Sequence, residues 1–111
     1  MRVVRAYYER GEWSLRYPVA LKRVQYGLKV VKPYYRVGYA FSPNESWYYK
    51  EEDVDVLLYL EQIGGNRYVS MQICVLYGRQ CDAIKQFAKK LWVEEWKSEK
   101  EVEQTLETLI V

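Results

Sequence analysis

Two alternating segments, joined by Gly64-Gly65-Asn66, limit the fold more than any other part of the sequence. In residues 54–60 and again in residues 69–77, apolar side chains occupy every second position. A period of two places neighbouring side chains on opposite faces of a β-strand, and glycine and asparagine are the residues that tight hairpin turns favour. The sequence therefore predicts an antiparallel hairpin made of these two segments.

The hydrophobic period changes from two to the helical value after Gly78. Apolar side chains recur at helical spacing from about residue 80 to 95, with lysines and glutamines between them, which predicts an amphipathic helix. Ser98, with Glu101 three residues later, forms a capping-box pattern. The apolar stripe that follows predicts a second helix over residues 99–110; it consists of Val102, Leu106, Leu109 and Ile110.

The first third of the chain allows two interpretations. Residues 2–8 are typical of a strand that Gly11 ends, and residues 23–30 also alternate between apolar and polar positions. Residues 18–31 also fit a helix that begins at Pro18, because proline is common in the first helical turn. Gly27 and the β-branched residues favour the strand, and the helix remains the alternative.

A further strand is predicted over residues 34–41. We expect one set of its alternating side chains to face the core, namely Tyr35, Val37, Tyr39 and Phe41. Tyr34 and Arg36 would then point outward. Residues 42–46 contain proline, asparagine and serine, which indicates a loop.

These elements predict a single domain over residues 1–111. Strands that dominate the first two thirds, followed by helices, indicate the α+β class. We expect a mainly antiparallel sheet of about five strands with two C-terminal helices packed on one face, which leaves the other face free.

The charges are distributed unevenly along the chain. Residues 1–50 contain ten lysines and arginines against three acidic residues, whereas residues 51–111 contain seven against twelve. Nine of the twelve tyrosines also lie in the basic half. Such an asymmetry is typical of a protein that binds a polyanion, or whose opposite patches associate.

The leading hypothesis is therefore a small, non-enzymatic protein that binds DNA or RNA on a basic, tyrosine-rich sheet face. Aromatic rings stack on unpaired bases and cations neutralise phosphates. The expected contact residues are Arg23, Lys29, Lys32, Tyr34 and Arg36.

The alternative is a protein–protein interaction module, an adaptor or inhibitor of the kind that viruses encode, acting as a homodimer. Tyrosine, tryptophan and arginine are enriched at the centres of protein interfaces. Trp13 and Trp47 are the candidate anchors, because the sequence places both near loops. A homo-oligomer is compatible with either hypothesis.

Catalytic chemistry is strongly restricted by the absence of histidine, which removes the commonest general base and most zinc sites. A weaker alternative is a metal-dependent nuclease, in which Asp53 and Asp55 share a strand face with Glu61 and hold Mg²⁺. We favour a solvated, charged strand edge for these residues, and so expect no catalytic residues, no metal and no cofactor.

Two cysteines, Cys74 and Cys81, are too few for a secreted disulfide framework. We expect reduced, buried thiols, with one bridge as the alternative if the helix after Cys81 folds back onto the strand that holds Cys74. The bridge gains weight in a hyperthermophile, and the scarcity of asparagine and the abundance of Glu, Lys and Arg are typical of thermophilic proteins.

The sequence contains no apolar run of membrane-spanning length. Charges at positions 2, 5, 9 and 10 argue against a signal peptide. We therefore expect a cytoplasmic protein that has no membrane partner.

Overall fold

The computed structural model of the chain describes residues 1–38 and 43–111. This part of the chain forms seven strands and two α-helices: β1 (Val3–Arg10), β2 (Ser14–Val24), β3 (Gly27–Val31), β4 (Tyr35–Gly38), β5 (Asn44–Lys50), β6 (Val56–Ile63), β7 (Asn66–Cys74), α1 (Gln80–Lys89) and α2 (Glu99–Leu106). A 3₁₀ turn (Glu51–Asp53) precedes β6, and a π-helical turn (Lys90–Glu94) continues α1. None of the described helices is long and apolar enough to span a lipid bilayer.

All strand pairs in this sheet are antiparallel. The strand order is β4-β5-β1-β2-β6-β7. β3 pairs with the end of β2, on the same edge of β2 that pairs with β1 at its beginning. The α+β class and the antiparallel sheet are thus confirmed, but the sheet has seven strands rather than about five. β5 was not predicted, because aromatic residues occupy both of its faces and its residues Trp47, Tyr48 and Tyr49 therefore show no apolar–polar alternation.

The hairpin predicted around Gly64 is confirmed as β6 and β7. The second strand is shorter than expected, since its last paired residue is Cys74; one further bond, from the Val75 amide to the Asp55 carbonyl, follows before the chain turns toward α1. Val75 and Tyr77, which belong to the alternating apolar set of the predicted strand, lie beyond β7 and are 64% and 84% exposed.

Residues 18–31 form strands rather than a helix. They do not form one strand, however, because β2 turns into β3 at residues 25–26. Pro18 lies inside β2. On one edge of β2, β1 pairs with residues up to Arg16 and β3 pairs with residues from Ala20 onward. Pro18 falls in the gap between these two partners, so its missing N–H removes no hydrogen bond from either pair.

Both predicted helices are present. The first continues through the π turn to Glu94, close to the predicted end at about residue 95, whereas the second ends at Leu106, earlier than predicted. The Ser98 cap is confirmed, since the Ser98 hydroxyl oxygen accepts a hydrogen bond from the Glu101 amide at 3.2 Å. After Leu106 the hydrogen bonding changes to the shorter i to i−3 spacing, in which the Leu109 amide donates to the Leu106 carbonyl. Ile110, expected in the apolar stripe, is 77% exposed as a result.

The buried side chains form two clusters. The first joins residues of both helices and the π turn to one face of β2, β3, β6 and β7; its helical members are Ile84, Ala88, Leu91, Trp92, Val102 and Leu106. The second joins Ala20, Leu57 and Tyr59, on the other face of β2 and β6, to residues of β1 and β5; the latter are Ala6, Trp47 and Tyr49.

The second cluster shows that β1 and β5 fold back over the sheet. β1 pairs with β2 only through Glu9 and Arg10, so its first half is free to leave β2 and cross that face. β2 and β6 are therefore buried on both sides along residues 18–21 and 56–60. The expectation that the second face of the sheet is free fails at its centre, because β1 and β5 cover it.

Candidate nucleic-acid interface

A group of contacting rings lies on the outer face of β4, β5 and β1. Tyr35 of β4 and Arg5 of β1 both lie directly opposite Tyr48 of β5, so the three side chains form a row across three strands. Directly opposite residues in a sheet project to the same side. With their neighbours these residues make up what we call the aromatic face: Arg5, Tyr7, Tyr34, Tyr35, Tyr48 and Lys50.

The rings and cations of the aromatic face form a continuous series of contacts across the strands. Tyr35 and Tyr48 are stacked, with ring centroids 4.6 Å apart, and Tyr34 meets Tyr35 edge-on at 5.7 Å. The Arg5 guanidinium carbon lies 4.7 Å from the Tyr7 centroid and 5.9 Å from that of Tyr48. At the other end, Lys50 Nζ lies 4.8 Å from the Tyr34 centroid. The result is an alternation of stacked rings and cations.

The two cations of this face are held in place but are not neutralised. Arg5 donates from Nε and Nη2 to the Ser46 hydroxyl, at 3.0 and 2.9 Å. Among the described residues, neither Arg5 nor Lys50 forms a salt bridge. Both therefore remain available to an external anion.

The rings also remain accessible, since Tyr7, Tyr34 and Tyr35 are 48%, 55% and 44% exposed. A shallow groove of about 460 Å³ continues the face along β1 and β5. Glu9 and Glu45 line its far end, so the positive charge is concentrated near the start of β1 and the end of β5.

Beneath the aromatic face, Trp47 is the centre of a buried aromatic cluster. Tyr8 stacks on it at 5.0 Å and Tyr17 meets it edge-on at 5.5 Å. Tyr17 lies near Glu103 of α2, and both line the same small cavity. Burial, together with the nearby Glu103 carboxylate, raises the pKa of Tyr17 to about 12. Burial also raises the pKa of Glu103, and the negative charges of Glu107 and Glu99 add to this effect. The cluster holds β5 in position, and with it the row formed by Tyr35, Tyr48 and Arg5 on the opposite face of the strand.

The structure reverses the predicted faces of the strand at residues 34–41. Tyr35 and Val37, expected in the core, are 44% and 47% exposed. Arg36, expected to point away from the core, instead lies opposite the buried Trp47, on the inner side of β4. Its guanidinium carbon is 4.0 Å from the Trp47 ring centre. The expectations for Tyr39 and Phe41 lie outside the described residues.

The five predicted contact residues are all exposed, but they do not share one flat surface. Tyr34 belongs to the aromatic face. Lys29 lies opposite Lys22 in the β2–β3 pair, whereas Arg23 lies opposite the buried Leu28, so Lys29 and Arg23 project from opposite faces. Lys32 follows β3, and Arg36 is on the inner side of β4.

Sequence reasoning missed five residues of the aromatic face: it assigned Tyr35 to the core and did not single out Arg5, Tyr7, Tyr48 or Lys50. A signal for two of them was present, because Arg5 and Tyr7 alternate with the small, buried Ala6 in the first strand. No local signal indicated that β1 pairs with β5, and this pairing is what brings Arg5 beside Tyr48.

The proposed metal ligands do not come together. Asp53 lies in the 3₁₀ turn and pairs with Lys22 at 3.1 Å. Asp55 precedes β6 and accepts a hydrogen bond from the Arg23 amide at 2.7 Å. The expectation that Asp53, Asp55 and Glu61 share a strand face is wrong, because β6 begins only at Val56. No group of three or more candidate ligands occurs in residues 1–38 and 43–111.

The two cysteines form a disulfide bond, so the expectation of reduced thiols is wrong. Cys74 ends β7 and Cys81 lies in the first turn of α1. The tight turn at Gly78 brings the two together, which is the alternative that the sequence left open. Trp47, proposed as an anchor near a loop, is a buried strand residue, whereas Trp13 is 73% exposed.

Comparison with known proteins gives no further guidance. The chain matches no protein-family model, and no curated protein or solved structure is significantly similar to it.

Proposed function

We propose that this protein binds single-stranded nucleic acid on the aromatic face. The observation that carries the proposal is the row Tyr35–Tyr48–Arg5, in which the exposed ring of Tyr35 stacks on the half-buried ring of Tyr48, beside a cation that forms no salt bridge among the described residues. Unpaired bases stack on such rings, whereas the bases of a duplex are already stacked on each other. Single strands are therefore the expected ligand.

The expected affinity has an aromatic and an electrostatic part. Each base stacked on a protein ring contributes about 1–3 kcal/mol. Arg5 and Lys50 supply phosphate contacts within the face, and each contact makes the affinity depend on salt. Arg23, Lys29, Lys32 and Arg36 lie outside the aromatic face and would add only to the longer-range positive field of this half of the chain.

The proposal takes the two helices to cover the sheet face opposite to β1 and β5, which leaves the aromatic face unobstructed. It assigns the protein no catalytic step and no cofactor. The expected setting is cytoplasmic.

Fluorescence anisotropy with labelled oligonucleotides tests the proposal. Single-stranded and duplex probes of the same sequence are titrated across a salt series, with and without Mg²⁺. Preferential binding of the single strand, with an affinity that falls steeply with salt, supports the proposal. No binding at low salt would overturn it, and cleavage of the probe with Mg²⁺ would contradict the non-catalytic assignment.

A second candidate function is a protein-interaction module. It is favoured by Trp13, which is 73% exposed. The Gly64 amide donates to the Trp13 carbonyl at 2.7 Å, which holds the two turns together. An exposed tryptophan on a turn that is held in this way is typical of an interface anchor. A protein that binds no oligonucleotide but forms a stable, monodisperse oligomer would favour this candidate.

A further inference from the structure

The far end of the groove that continues the aromatic face combines an acid and a base. Glu9 of β1 lies directly opposite Arg16 of β2, and both line this groove of about 460 Å³. Residues directly opposite each other in an antiparallel pair project to the same side of the sheet. A carboxylate and a guanidinium are therefore neighbours at this end of the groove.

These two groups do not pair with each other. Among the described residues, Glu9 forms no salt bridge, and the one ion pair of Arg16 is long, with 4.0 Å between its Nε and Glu61 Oε1. The Glu9 side chain is held instead by the Ser14 hydroxyl, which donates to Glu9 Oε1 at 3.3 Å. Both groups thus keep hydrogen-bonding capacity for a ligand in the groove.

Tyr7 supplies an aromatic ring beside this pair. Tyr7 and Glu9 are two positions apart in β1, so their side chains project to the same face, about 7 Å apart along the strand. The Arg5 guanidinium lies over the Tyr7 ring at 4.7 Å, but the ring is still 48% exposed and lines the groove. A base that stacks on Tyr7 inside the groove brings its edge toward Glu9 and Arg16.

The chemistry of a carboxylate beside a guanidinium distinguishes the bases. The Watson–Crick edge of guanine presents one acceptor oxygen and, next to it, two adjacent N–H donors; the donors match the two carboxylate oxygens and the acceptor matches a guanidinium N–H. Adenine and cytosine place a bare ring nitrogen beside their single amino group, and thymine and uracil place a carbonyl oxygen on each side of their one N–H. Each of these sets a lone pair against the carboxylate, which leaves it unsatisfied.

We propose that the groove holds one unpaired guanine, which stacks on Tyr7, donates from N1 and N2 to the Glu9 carboxylate and accepts at O6 from Arg16. This inference rests on the proposed function, because it assigns the base preference of the same surface. The aromatic face binds any single strand, and Glu9 and Arg16 select guanine. A site that binds through hydrogen bonds rejects a ligand that lacks the matching groups, since the polar groups of the site are then left unpaired.

Fluorescence anisotropy with three labelled thymidine oligomers of equal length tests this inference. One contains thymine throughout, the second has a single central guanine, and the third has hypoxanthine at that position, which lacks only the 2-amino group of guanine. The guanine probe is expected to bind roughly tenfold more tightly than the all-thymine probe, which is within the range of one bidentate contact to a base. The hypoxanthine probe should lose most of this gain.

Glu9→Gln is the decisive variant, because it keeps the size of the side chain but replaces one acceptor oxygen with an NH₂ group, which cannot accept from guanine. The ratio of the guanine affinity to the all-thymine affinity should fall close to one. Glu12→Gln is the matched control, since it removes the same charge at an exposed site in the turn between β1 and β2, outside the groove. This control should keep the wild-type ratio.

Equal binding of the three probes by the wild type overturns this inference and leaves the proposed function standing. A preference for guanine that survives Glu9→Gln, or that Glu9→Gln and Glu12→Gln reduce equally, removes Glu9 from base recognition and overturns the inference too. Failure to bind any of the probes at low salt overturns the proposed function itself, and the guanine site with it.

Discussion

The Arg36 guanidinium lies over the ring of Trp47, with 4.0 Å between the guanidinium carbon and the ring centre. Trp47 is 4% exposed although β4, the strand beside it, is exposed along its whole length. Since Tyr8 approaches from β1 on the other side of β5, Arg36 completes the cover of the tryptophan from β4.

Arg36→Ala is expected to lower the free energy of unfolding by about 1 kcal/mol, because a partly exposed cation–π contact is lost. Urea unfolding followed by tryptophan emission measures this. Arg36→Lys keeps a cation and should lose less. Equal stability of wild type and Arg36→Ala would mean that the guanidinium does not hold Trp47 in place.

Tyr35→Ala should weaken the binding of single-stranded oligonucleotides by the loss of one stacked base, about 1–3 kcal/mol. Anisotropy titrations measure the change. Tyr77→Ala is the matched control, because Tyr77 is an exposed ring outside the aromatic face. If both variants lost the same affinity, the aromatic face would not be the binding surface.

Arg5→Ala should reduce the slope of log affinity against log salt by about 1, since it removes one phosphate contact. The same salt series on Lys89→Ala, an exposed residue of α1, should give the wild-type slope. An unchanged slope for Arg5→Ala would remove Arg5 from the contact surface.

Glu103→Gln should change how stability depends on pH. Burial raises the pKa of Glu103 above its ordinary value of 4.5, so the folded chain holds this proton more tightly than the unfolded chain does. The wild type therefore loses stability as the pH rises from about 4.5 through the raised pKa.

The glutamine has nearly the same shape as the glutamate but does not titrate. The variant should gain stability relative to the wild type across that pH window, and urea unfolding at a series of pH values measures the difference. Glu94→Gln, at an exposed site in the π turn, is the control. A difference that does not vary with pH would contradict the raised pKa.

Removal of the disulfide should lower the free energy of unfolding by about 2–3 kcal/mol, the chain-entropy value for a short loop. The two cysteines are only seven residues apart. Urea unfolding with and without reductant measures the loss in the wild type. The double variant Cys74→Ser, Cys81→Ser should be equally unstable and insensitive to reductant; a wild type unaffected by reductant would contradict the prediction.

Gly27→Ala should cost about 1–3 kcal/mol. The φ of Gly27 is 148°, and a Cβ would also press on the Leu109 carbonyl oxygen. Gly65→Ala is the control, since a Cβ there meets nothing within 4 Å; its effect should stay within about 0.5 kcal/mol. Thermal unfolding of the two variants compares them directly.

The elements that local patterns specify were predicted well. The β6–β7 hairpin, α1 and the Ser98 cap follow from hydrophobic period, turn residues and capping chemistry, each of which acts over a few neighbouring residues. The candidate site was predicted only in part, because Tyr34 was identified but Arg5 and Tyr48 were not. Their contact depends on residues more than forty positions apart in the sequence.

Strand β4 shows why periodicity alone was not enough. Alternation establishes that Tyr35 and Val37 share one face and that Arg36 lies on the other, but it does not say which face is buried. The pairing with β5 decides this, because it places Arg36 opposite Trp47 and Tyr35 opposite Tyr48.

The sequence by itself determined the α+β class, the antiparallel hairpin, the two helices and the gathering of tyrosines and cations in one half of the chain. Only the tertiary structure decided the order of the strands, the fold-back of β1 and β5, the disulfide and the side of the sheet on which the rings are exposed. The physical reason is that turns, helix caps and hydrophobic period depend on near neighbours in the sequence, whereas strand pairing and the burial of a face depend on which distant strand comes to lie beside or over it.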